Sequence, residues 1–159
     1  IKSWGNNPGL IGDNTNVGKN VPTSPSDGSA GEIVGKVAKV IPKFTWSSAM
    51  NDVVILTTDG LLYSSGNGSN GLTRGLNKDV LTTTEENTYQ KVDLSQLEPD
   101  DIIIDVTSGN AFNSNWAYYA LTSKGNILSW GEYFANGRRE YFASLLPEYI
   151  YKDGKFISY

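Results

Sequence analysis

The side chains that most often carry out catalytic chemistry are absent from this sequence. It contains no His and no Cys, so it has no Ser-His-Asp or Cys-His pair, no His-ligated zinc and no thiol chemistry. His is also the most common general base in enzymes. We therefore expect no enzymatic activity, no bound metal and no cofactor.

Paired carboxylates are the remaining candidates for acid–base chemistry. Glu85-Glu86 and Asp100-Asp101 are neighbours in sequence, and neighbouring side chains on a strand point to opposite faces. A glycosidase needs two carboxylates about 5 to 9 Å apart across a cleft, so neither pair alone makes a site. Glu98-Pro99-Asp100-Asp101 is typical of a solvated turn before a strand. A carbohydrate-active enzyme that uses Glu132 or Glu140 stays open as an alternative.

Two short motifs have the spacing of ligand-binding loops. Gly66-Asn67-Gly68-Ser69-Asn70-Gly71 has the G-x-G-x-x-G spacing of a dinucleotide loop, but residues 72–78 lack the apolar period of the helix that the pyrophosphate needs. Asp13 to Gly18 begins like a calcium loop, but Val17 and Ser24 occupy two ligand positions. We interpret both motifs as turns, and a looser calcium site through backbone carbonyls stays open.

Aromatic and basic side chains form the most distinctive cluster for binding. Tyr133 and Phe134 lie close in sequence to Arg138 and Arg139, and Arg can stack on aromatic rings to hold an anion or a sugar. Trp46 and Trp116 precede predicted hairpins and form either inter-sheet packing or the floor of a binding surface. The predicted binding residues are Trp46, Trp116, Tyr133, Phe134, Arg138 and Arg139.

Charge and composition exclude several classes of partner. The net charge of −4 and the pI near 4.8 argue against nucleic acid or anionic lipid as a partner. No apolar run reaches the roughly 20 residues that a membrane span needs, so we expect no membrane insertion. The many Gly, Asn, Ser, Thr and Tyr residues favour short strands and turns.

The sequence contains an internal repeat at an offset of 65 positions. The two full copies are VILTTDGLLYSSG at 54–66 and YALTSKGNILSWG at 119–131. The same offset places Val37–Ile41 on Ile102–Val106. The opening Ile1–Gly5 matches Ile127–Gly131, and the closing Ile150–Tyr159 matches the hairpin again from Leu121. A repeat of this kind indicates an architecture in which each copy is one structural unit.

Each copy is predicted to form a β-hairpin. The turn falls at Asp59-Gly60 in the first copy, because Gly supplies the positive φ that such a turn requires. A strand precedes each hairpin, and a fourth strand is predicted at Tyr89–Leu94 and at Glu32–Val34. Four short antiparallel strands per recurring unit are typical of a propeller blade. Trp4 and Trp130 hold equivalent motif positions, and both are predicted to pack between units.

The repeat resembles that of the regulator of chromosome condensation family. The residues that carry the resemblance are Leu56–Gly60 with Leu62–Asn67, Gly71 and Gly75, then Leu121–Gly131, and Trp4-Gly5-Asn6-Asn7 with Gly9, Gly12 and Asp13. The resemblance implies an all-β fold with two to three four-stranded antiparallel blades of a β-propeller, the ring being incomplete within this chain. The predicted units are a partial unit at 1–31, full units at about 32–96 and about 97–137, and a degenerate partial unit at 138–159.

The resemblance also implies how many blades the complete propeller has. Propellers of this family usually have about seven blades, and two blades cannot close a ring. We therefore expect this chain to be a fragment, the remaining blades coming from a parent chain or from other copies.

The leading functional hypothesis is a non-catalytic recognition module that binds a protein or glycan partner through loops on a propeller face. Loops fixed by a rigid scaffold often carry binding residues, and Tyr, Trp, Asn, Ser and Gly are adaptable contact residues. The composition favours an attachment protein on a cell surface or virion, outside the cell. The alternatives are a regulatory domain of the nucleotide-exchange type acting on a small GTPase, which the resemblance implies for the founding family, and the carbohydrate-active enzyme.

Overall fold

The computed structural model describes residues 1–6, 8–25, 33, 36–43, 52–66, 75–76, 87–111, 115–132 and 144–157. The strands are β1 (Ser3–Gly5), β2 (Lys19–Thr23), β3 (Val37–Lys43), β4 (Asp52–Thr57), β5 (Leu62–Gly66), β6 (Gln90–Lys91), β7 (Ile103–Ala111), β8 (Asn115–Thr122), β9 (Ile127–Gly131), β10 (Ser144–Lys152) and β11 (Lys155–Phe156). A short helix, α1, spans Pro8–Ile11. None of the helical structure in the described residues has the length and apolar character needed to cross a membrane.

The strands pair into antiparallel sheets. β1 and β2 form a two-stranded ribbon, which we call the N-terminal ribbon. The central sheet has the order β3-β4-β5-β6, and the C-terminal sheet has the order β11-β10-β9-β8-β7. Sheets of four and five short strands that pair in chain order are the form expected of propeller blades. The prediction of an all-β fold built from antiparallel blades is confirmed.

The repeat hairpins turn one residue earlier than the sequence predicted. Gly60 donates its amide to the Thr57 carbonyl at 3.1 Å, so Thr58 and Asp59 are the central residues of the turn. Gly60 follows with a φ of 80°, and Gly125 repeats this conformation with a φ of 82°. The placement of the turn at Asp59-Gly60 was wrong because the glycine follows the turn as a left-handed bulge residue.

The strands that follow each hairpin complete the two larger sheets. The fourth strand predicted at Tyr89–Leu94 is confirmed over β6, which pairs with β5. The strand predicted at Glu32–Val34 lies outside the described residues except for Ile33, which packs against the central sheet. β10 pairs with β9, so residues from 144 onward belong to the same sheet as β7. The division into units at 1–31, 32–96, 97–137 and 138–159 stays a prediction.

The closing hairpin is present through residue 157. Its turn consists of Asp153 and Gly154, with φ values of 53° and 80°. Two consecutive left-handed residues form the tight turn that best suits a two-residue hairpin. The hairpin adds β11 to the free side of β10.

The constant offset of 65 fails in the strand before each hairpin. Lys39 lies opposite Leu56, whereas Asp105 lies opposite Leu121, the repeat equivalent of Leu56. The offset is therefore 66 in β3 and β7, and the gapless match of Val37–Ile41 was wrong by one residue. The cause is one extra residue between equivalent paired positions: eight residues separate Lys43 from its partner Asp52, whereas seven separate Gly109 from its partner Ala117. Because side chains alternate between faces, a shift of one residue exchanges the two faces of the strand.

The two inner strands of the central sheet are buried on both faces, since all residues of β4 and β5 are buried. One face packs against the C-terminal sheet through an apolar cluster that includes Val54, Leu56, Leu62, Tyr118, Leu128 and Trp130. The other face packs against the N-terminal segment through a second cluster of Val53, Ile55, Tyr63 and Tyr89, with Leu10 of α1 at its side. Burying one such side chain fully contributes about 1.5–3 kcal/mol. The central sheet therefore lies between two apolar clusters, one of which it shares with the C-terminal sheet.

Candidate functional site

Two connections of the central sheet leave the sheet at the same end of its strands, which we call an edge of the sheet. Lys43, the last residue of β3, lies opposite Asp52, the first residue of β4. Asp52 in turn lies opposite Gly66, the last residue of β5. The connection 44–51 therefore begins and ends at this edge, and the chain departs from the same edge after Gly66.

The C-terminal sheet repeats this arrangement. Ala111 lies opposite Asn115, so the connection 112–114 begins and ends at one edge. Gly131 lies opposite Ala117 on one side and opposite Ser144 on the other. The connection 132–143 therefore begins and ends at the same edge as 112–114.

The two edges lie on the same side of the molecule. Val54 of β4 and Tyr118 of β8 pack in one apolar cluster. Tyr118 also lies near enough to Asp52, at the start of β4, that burial and the Asp52 carboxylate raise its pKa well above the usual value. At the opposite end, a Cβ added to Gly60 would lie 2.9 Å from the Cβ of Ile102, just before β7. We call the shared end of the strands, where the connections 44–51, 112–114 and 132–143 begin and end, the loop edge. The opposite end of the strands, where the tight hairpin turns lie, is called the turn edge.

Most predicted binding residues fall in the connections of the loop edge. Trp116 lies in β8 opposite Asn110, next to the connection 112–114. The other five lie outside the described residues, within 44–51 or 132–143: Trp46, Tyr133, Phe134, Arg138 and Arg139. Only the strand ends that flank these connections are described, and the binding role of each of the six residues stays a prediction.

A buried ion pair lies directly beneath the loop edge. Lys43 Nζ is 3.2 Å from Asp52 Oδ1, and both side chains are completely buried. Taking two charges out of water costs several kcal/mol, and the attraction between them offsets that cost only while both are present. The pair therefore ties the end of β3 to the start of β4, where the connection 44–51 begins and ends.

Aromatic packing continues from this ion pair into the C-terminal sheet. The rings of Tyr118 and Trp130 are stacked with their centroids 5.4 Å apart. Both rings are fully buried. A buried layer of charged and aromatic side chains thus lies beneath the strand ends from which the candidate binding connections depart.

The ion pair could have been found by comparing the two repeats at the correct offset. The positions equivalent to Lys43 and Asp52 in the C-terminal sheet are Gly109 and Ala117, which also lie opposite each other. Charged residues where the other copy has small ones indicate an interaction specific to one unit. The one-residue offset hid this comparison.

The turn edge contains no candidate binding residue, and Asp101 organises it. Asp101 Oδ1 accepts hydrogen bonds from the Ser123 hydroxyl at 2.7 Å and from the Lys124 amide at 3.1 Å. Asp101 also donates its amide to the Glu98 carbonyl at 3.2 Å, which confirms the predicted turn before β7. The prediction that this turn is solvated was wrong for Asp101, whose side chain is buried against the next hairpin.

The hydrogen bonds to Asp101 lower its pKa. Burial by itself raises the pKa of this carboxyl, but hydrogen bonds from Thr122, Ser123 and the amides of Lys124 and Ile102 outweigh that effect. The net pKa lies below its usual value. The folded state therefore stabilises the ionised carboxylate of Asp101 more than the unfolded chain does.

We expect Asp101→Asn to lower the free energy of unfolding by on the order of 2 kcal/mol near neutral pH, because charge-assisted hydrogen bonds are replaced by neutral ones. A lowered folded pKa stabilises the fold fully above the unfolded pKa of about 3.9, and this stabilisation is lost as the pH falls through the folded value. Urea unfolding from about pH 7 to about pH 2.5 measures the effect. Asp59→Asn, which removes an exposed turn carboxylate, is the control. Parallel pH curves for wild type and Asp101→Asn contradict the prediction.

Two glycines of the repeat loops lie against buried side chains. Gly12 has a φ of +69°, and a Cβ added there would lie 2.4 Å from Tyr89 Cε2. Gly75 has a φ of +68°, and its Cβ would lie 2.8 Å from Val92 Cγ1 and 3.2 Å from Trp130 Nε1. These positions require glycine both for the left-handed backbone and for the close approach.

We expect Gly12→Ala to lower the free energy of unfolding by about 3 kcal/mol or more, from left-handed strain together with the clash against Tyr89. Gly125→Ala is the matched control, because Gly125 has a φ of +82° but only open space around its Cβ position. The control should cost about 1 kcal/mol. Equal losses in urea unfolding would show that the contact with Tyr89 is unimportant.

The segment that resembles a calcium loop forms an Asx turn. Asp13 Oδ1 accepts hydrogen bonds from the Thr15 amide at 3.1 Å and the Thr15 hydroxyl at 2.7 Å. Asp13 Oδ2 is 3.1 Å from Lys19 Nζ. The carboxylate therefore serves the loop and an ion pair, which supports the interpretation as a turn.

The two tryptophans at equivalent motif positions have opposite environments. Trp130 is completely buried, whereas 63% of Trp4 is exposed. The prediction that Trp4 packs between units was therefore wrong. Trp130 is covered by Tyr118 on the neighbouring strand β8, and among the described residues β1 has β2 as its only strand neighbour.

Comparison with known proteins identifies the fold through solved structures. No protein-family model and no curated protein sequence matches the chain significantly. The crystal structure of human WBSCR16 matches with a TM-score of 0.62 and 18% identity, over 94% of this chain and 32% of that one. Yeast RCC1 (Prp20), crystallised with Kap60, matches with a TM-score of 0.59 and 15% identity, over 97% of this chain and 34% of that one.

These likenesses extend over almost all of this chain and about one third of each neighbour. At such low identities they show the fold alone. They agree with the repeat of hairpins and with the stacked antiparallel sheets described above. The chain therefore has the fold of the regulator of chromosome condensation (RCC1-type) β-propeller, as its sequence resemblance implied.

Proposed function

We propose that this chain is a non-catalytic recognition module whose loop edge binds a protein partner. The observation that carries the proposal is that the connections 44–51, 112–114 and 132–143 all begin and end at one edge. These connections contain or adjoin all six predicted binding residues. Loops held by a rigid scaffold are the usual location of binding residues, and the buried Lys43–Asp52 pair supports the scaffold at this edge.

The composition of the connections favours a protein as the partner. Trp, Tyr and Arg are the residue types most enriched among those that dominate binding energy at protein interfaces. The connections contain Trp46, Tyr133, Arg138 and Arg139. The comparison with yeast RCC1 (Prp20), which was crystallised with the protein Kap60, also supports a protein partner.

The test of this proposal measures affinity for proteins selected on an array of purified candidates. We expect Trp46→Ala, and the double variant Arg138→Ala/Arg139→Ala, to weaken binding about tenfold or more in biolayer interferometry. Lys155→Ala, an exposed change at the turn edge, is the control and should change affinity by less than about twofold. An affinity that the loop-edge variants leave unchanged overturns the proposal, and so does binding to glycans alone.

A nucleotide-exchange role on a small GTPase is the second candidate, and the fold shared with yeast RCC1 favours it. The repeat residues that carry the resemblance specify the fold, and they are not evidence of exchange activity in this chain. The rate of nucleotide release from purified small GTPases, with and without the chain, tests it. Acceleration by about tenfold or more supports exchange activity, and release at the unassisted rate contradicts it.

A further inference from the structure

A tyrosine hydroxyl is buried where the central and C-terminal sheets pack together. Tyr118 of β8 has none of its surface exposed, and it belongs to the apolar cluster that the two sheets share. Among the described residues, its hydroxyl has no hydrogen bond of ordinary geometry. A buried tyrosine hydroxyl normally has a partner, because a buried polar group without one is destabilising. The surroundings of Tyr118 should therefore contain a group that accepts its hydrogen bond.

The Asp52 carboxylate is in a position to be that acceptor. Asp52 is the first residue of β4, and Val54, two residues further on, packs in the same apolar cluster as Tyr118. Burial and this carboxylate together raise the pKa of the Tyr118 hydroxyl, so the two groups lie close to each other. A carboxylate has acceptor sites for about four hydrogen bonds. The ion pair with Lys43, at 3.2 Å, therefore does not prevent Asp52 from accepting one from Tyr118.

These three polar side chains have no counterparts in the other copy of the repeat. Small residues replace Lys43 and Asp52 in the C-terminal sheet, as described above. At the offset of 65, the equivalent of Tyr118 in the central sheet is Val53. Val53 packs in the second apolar cluster, on the side of the N-terminal segment. The face of the central sheet that meets the N-terminal segment is thus apolar at the position where the C-terminal sheet presents a hydroxyl to Asp52.

A buried polar contact of this kind can determine which blade packs against which. Blades built from one hairpin motif have similar apolar faces, and mispairing or exchange of units is a characteristic failure of repeat proteins. A wrong neighbour leaves the buried polar group without its partner, and that loss disfavours the wrong arrangement. A buried ion pair contributes little net stability compared with apolar residues of similar volume. Specificity of blade pairing therefore accounts for charged residues at this position better than stability does.

We propose that Tyr118 donates a hydrogen bond to Asp52, and that this bond makes the buried Lys43–Asp52 pair a specificity element between the two blades. The element matches the central sheet to a neighbouring blade that carries a tyrosine at this position. A neighbour with an apolar residue there, such as the valine of the central copy, leaves the carboxylate with one hydrogen bond fewer. This role concerns how the blades pair, and it does not depend on the function proposed for the loop edge.

Urea unfolding of the full chain tests the hydrogen bond. Tyr118→Phe removes only the hydroxyl, and it should raise the equilibrium constant for unfolding about tenfold or more, because hydrogen bonds to charged groups are the strong ones. In the background Lys43→Met/Asp52→Leu, the same change should leave this constant unchanged or lower it, since the hydroxyl then has no carboxylate to bind. Tyr151→Phe is the control, because it removes a half-buried hydroxyl of the C-terminal sheet, and its effect should be less than about twofold.

A second background keeps this test informative if the apolar double variant does not fold. Asp52→Asn retains the shape of the side chain and replaces the charged acceptor by a neutral one. In that background, Tyr118→Phe should raise the equilibrium constant for unfolding by less than about threefold. An effect of Tyr118→Phe that is the same in every background overturns the proposal, and so does a stabilising effect of Tyr118→Phe in the wild type.

A variant without the polar group tests specificity separately from stability. Lys43→Met/Asp52→Leu/Tyr118→Phe should still fold, but it should give more than one set of amide signals for β8 in NMR spectra, or oligomers in sedimentation that the wild type does not form at the same concentration. A single set of signals together with the sedimentation behaviour of the wild type overturns the role in specificity. If the triple variant does not fold, Asp52→Asn/Tyr118→Phe provides the same comparison with the shape of the cluster retained.

Discussion

Lys43→Met is expected to lower the free energy of unfolding by about 3–5 kcal/mol, the usual effect of removing one partner of a buried ion pair. The variant leaves the buried Asp52 carboxylate without the cation that lies 3.2 Å away in the wild type. Methionine fills a similar volume, so the loss reports on charge rather than on a cavity. Urea unfolding at neutral pH measures the effect.

The double variant Lys43→Met/Asp52→Leu identifies the cause of that loss. If the two charges depend on each other, the double variant is more stable than either single variant, with a coupling energy of about 2 kcal/mol or more. Lys39→Met is the matched control, since Lys39 forms an ion pair with Asp105 that is largely exposed. Exposed pairs contribute roughly 0–1 kcal/mol. Additive losses at Lys43 and Asp52 would contradict the assignment.

The hairpins could be predicted from sequence because their determinants are local. A threonine, a turn and a left-handed glycine specify the fold of the two repeat hairpins within about a dozen residues each. Gly60 and Gly125 occupy the same conformation, and Asp153-Gly154 forms the tight turn of the last hairpin. The recurrence of that local pattern was sufficient to indicate blades of a propeller.

The failures arose where a residue's environment depends on a segment distant in sequence. The strand before the hairpin shifted by one position because the length of a connection is not visible in the strand's own pattern. Lys43 and Asp52 look like surface residues until the strand ends are brought together. Trp4 and Trp130 share a motif, yet their burial depends on the strand beside them.

The candidate site could be predicted only in part for a related reason. The sequence predicted aromatic and basic binding residues, which stay a prediction, and the strand register shows that the connections containing or adjoining them begin and end at the loop edge. What supports that edge, the buried pair of Lys43 and Asp52 with Tyr118 facing it, is formed across two sheets. Contacts between sheets follow from the stacking of blades, which a single copy of the repeat does not specify.

Trp130→Ala is expected to lower the free energy of unfolding by about 3–5 kcal/mol, whereas Trp4→Ala should change it by less than about 1 kcal/mol. The two residues hold the same motif position, so the comparison isolates burial from residue type. Trp130 packs against Tyr118 and close to Gly75, with none of its surface exposed. In a chain of this size the larger loss lowers Tm by roughly 10 °C, and chemical unfolding gives the free energies directly.

Trp130→Phe keeps the comparison informative if Trp130→Ala does not fold. Phenylalanine retains part of the stacking on Tyr118, so its cost should fall to about 1–3 kcal/mol. A loss on Trp4→Ala as large as that on Trp130→Ala would mean that Trp4 is covered in solution. Since the described residues leave Trp4 63% exposed, the covering element would have to lie beside β1. A small loss instead shows that Trp4 is as exposed in solution as it is in the described residues.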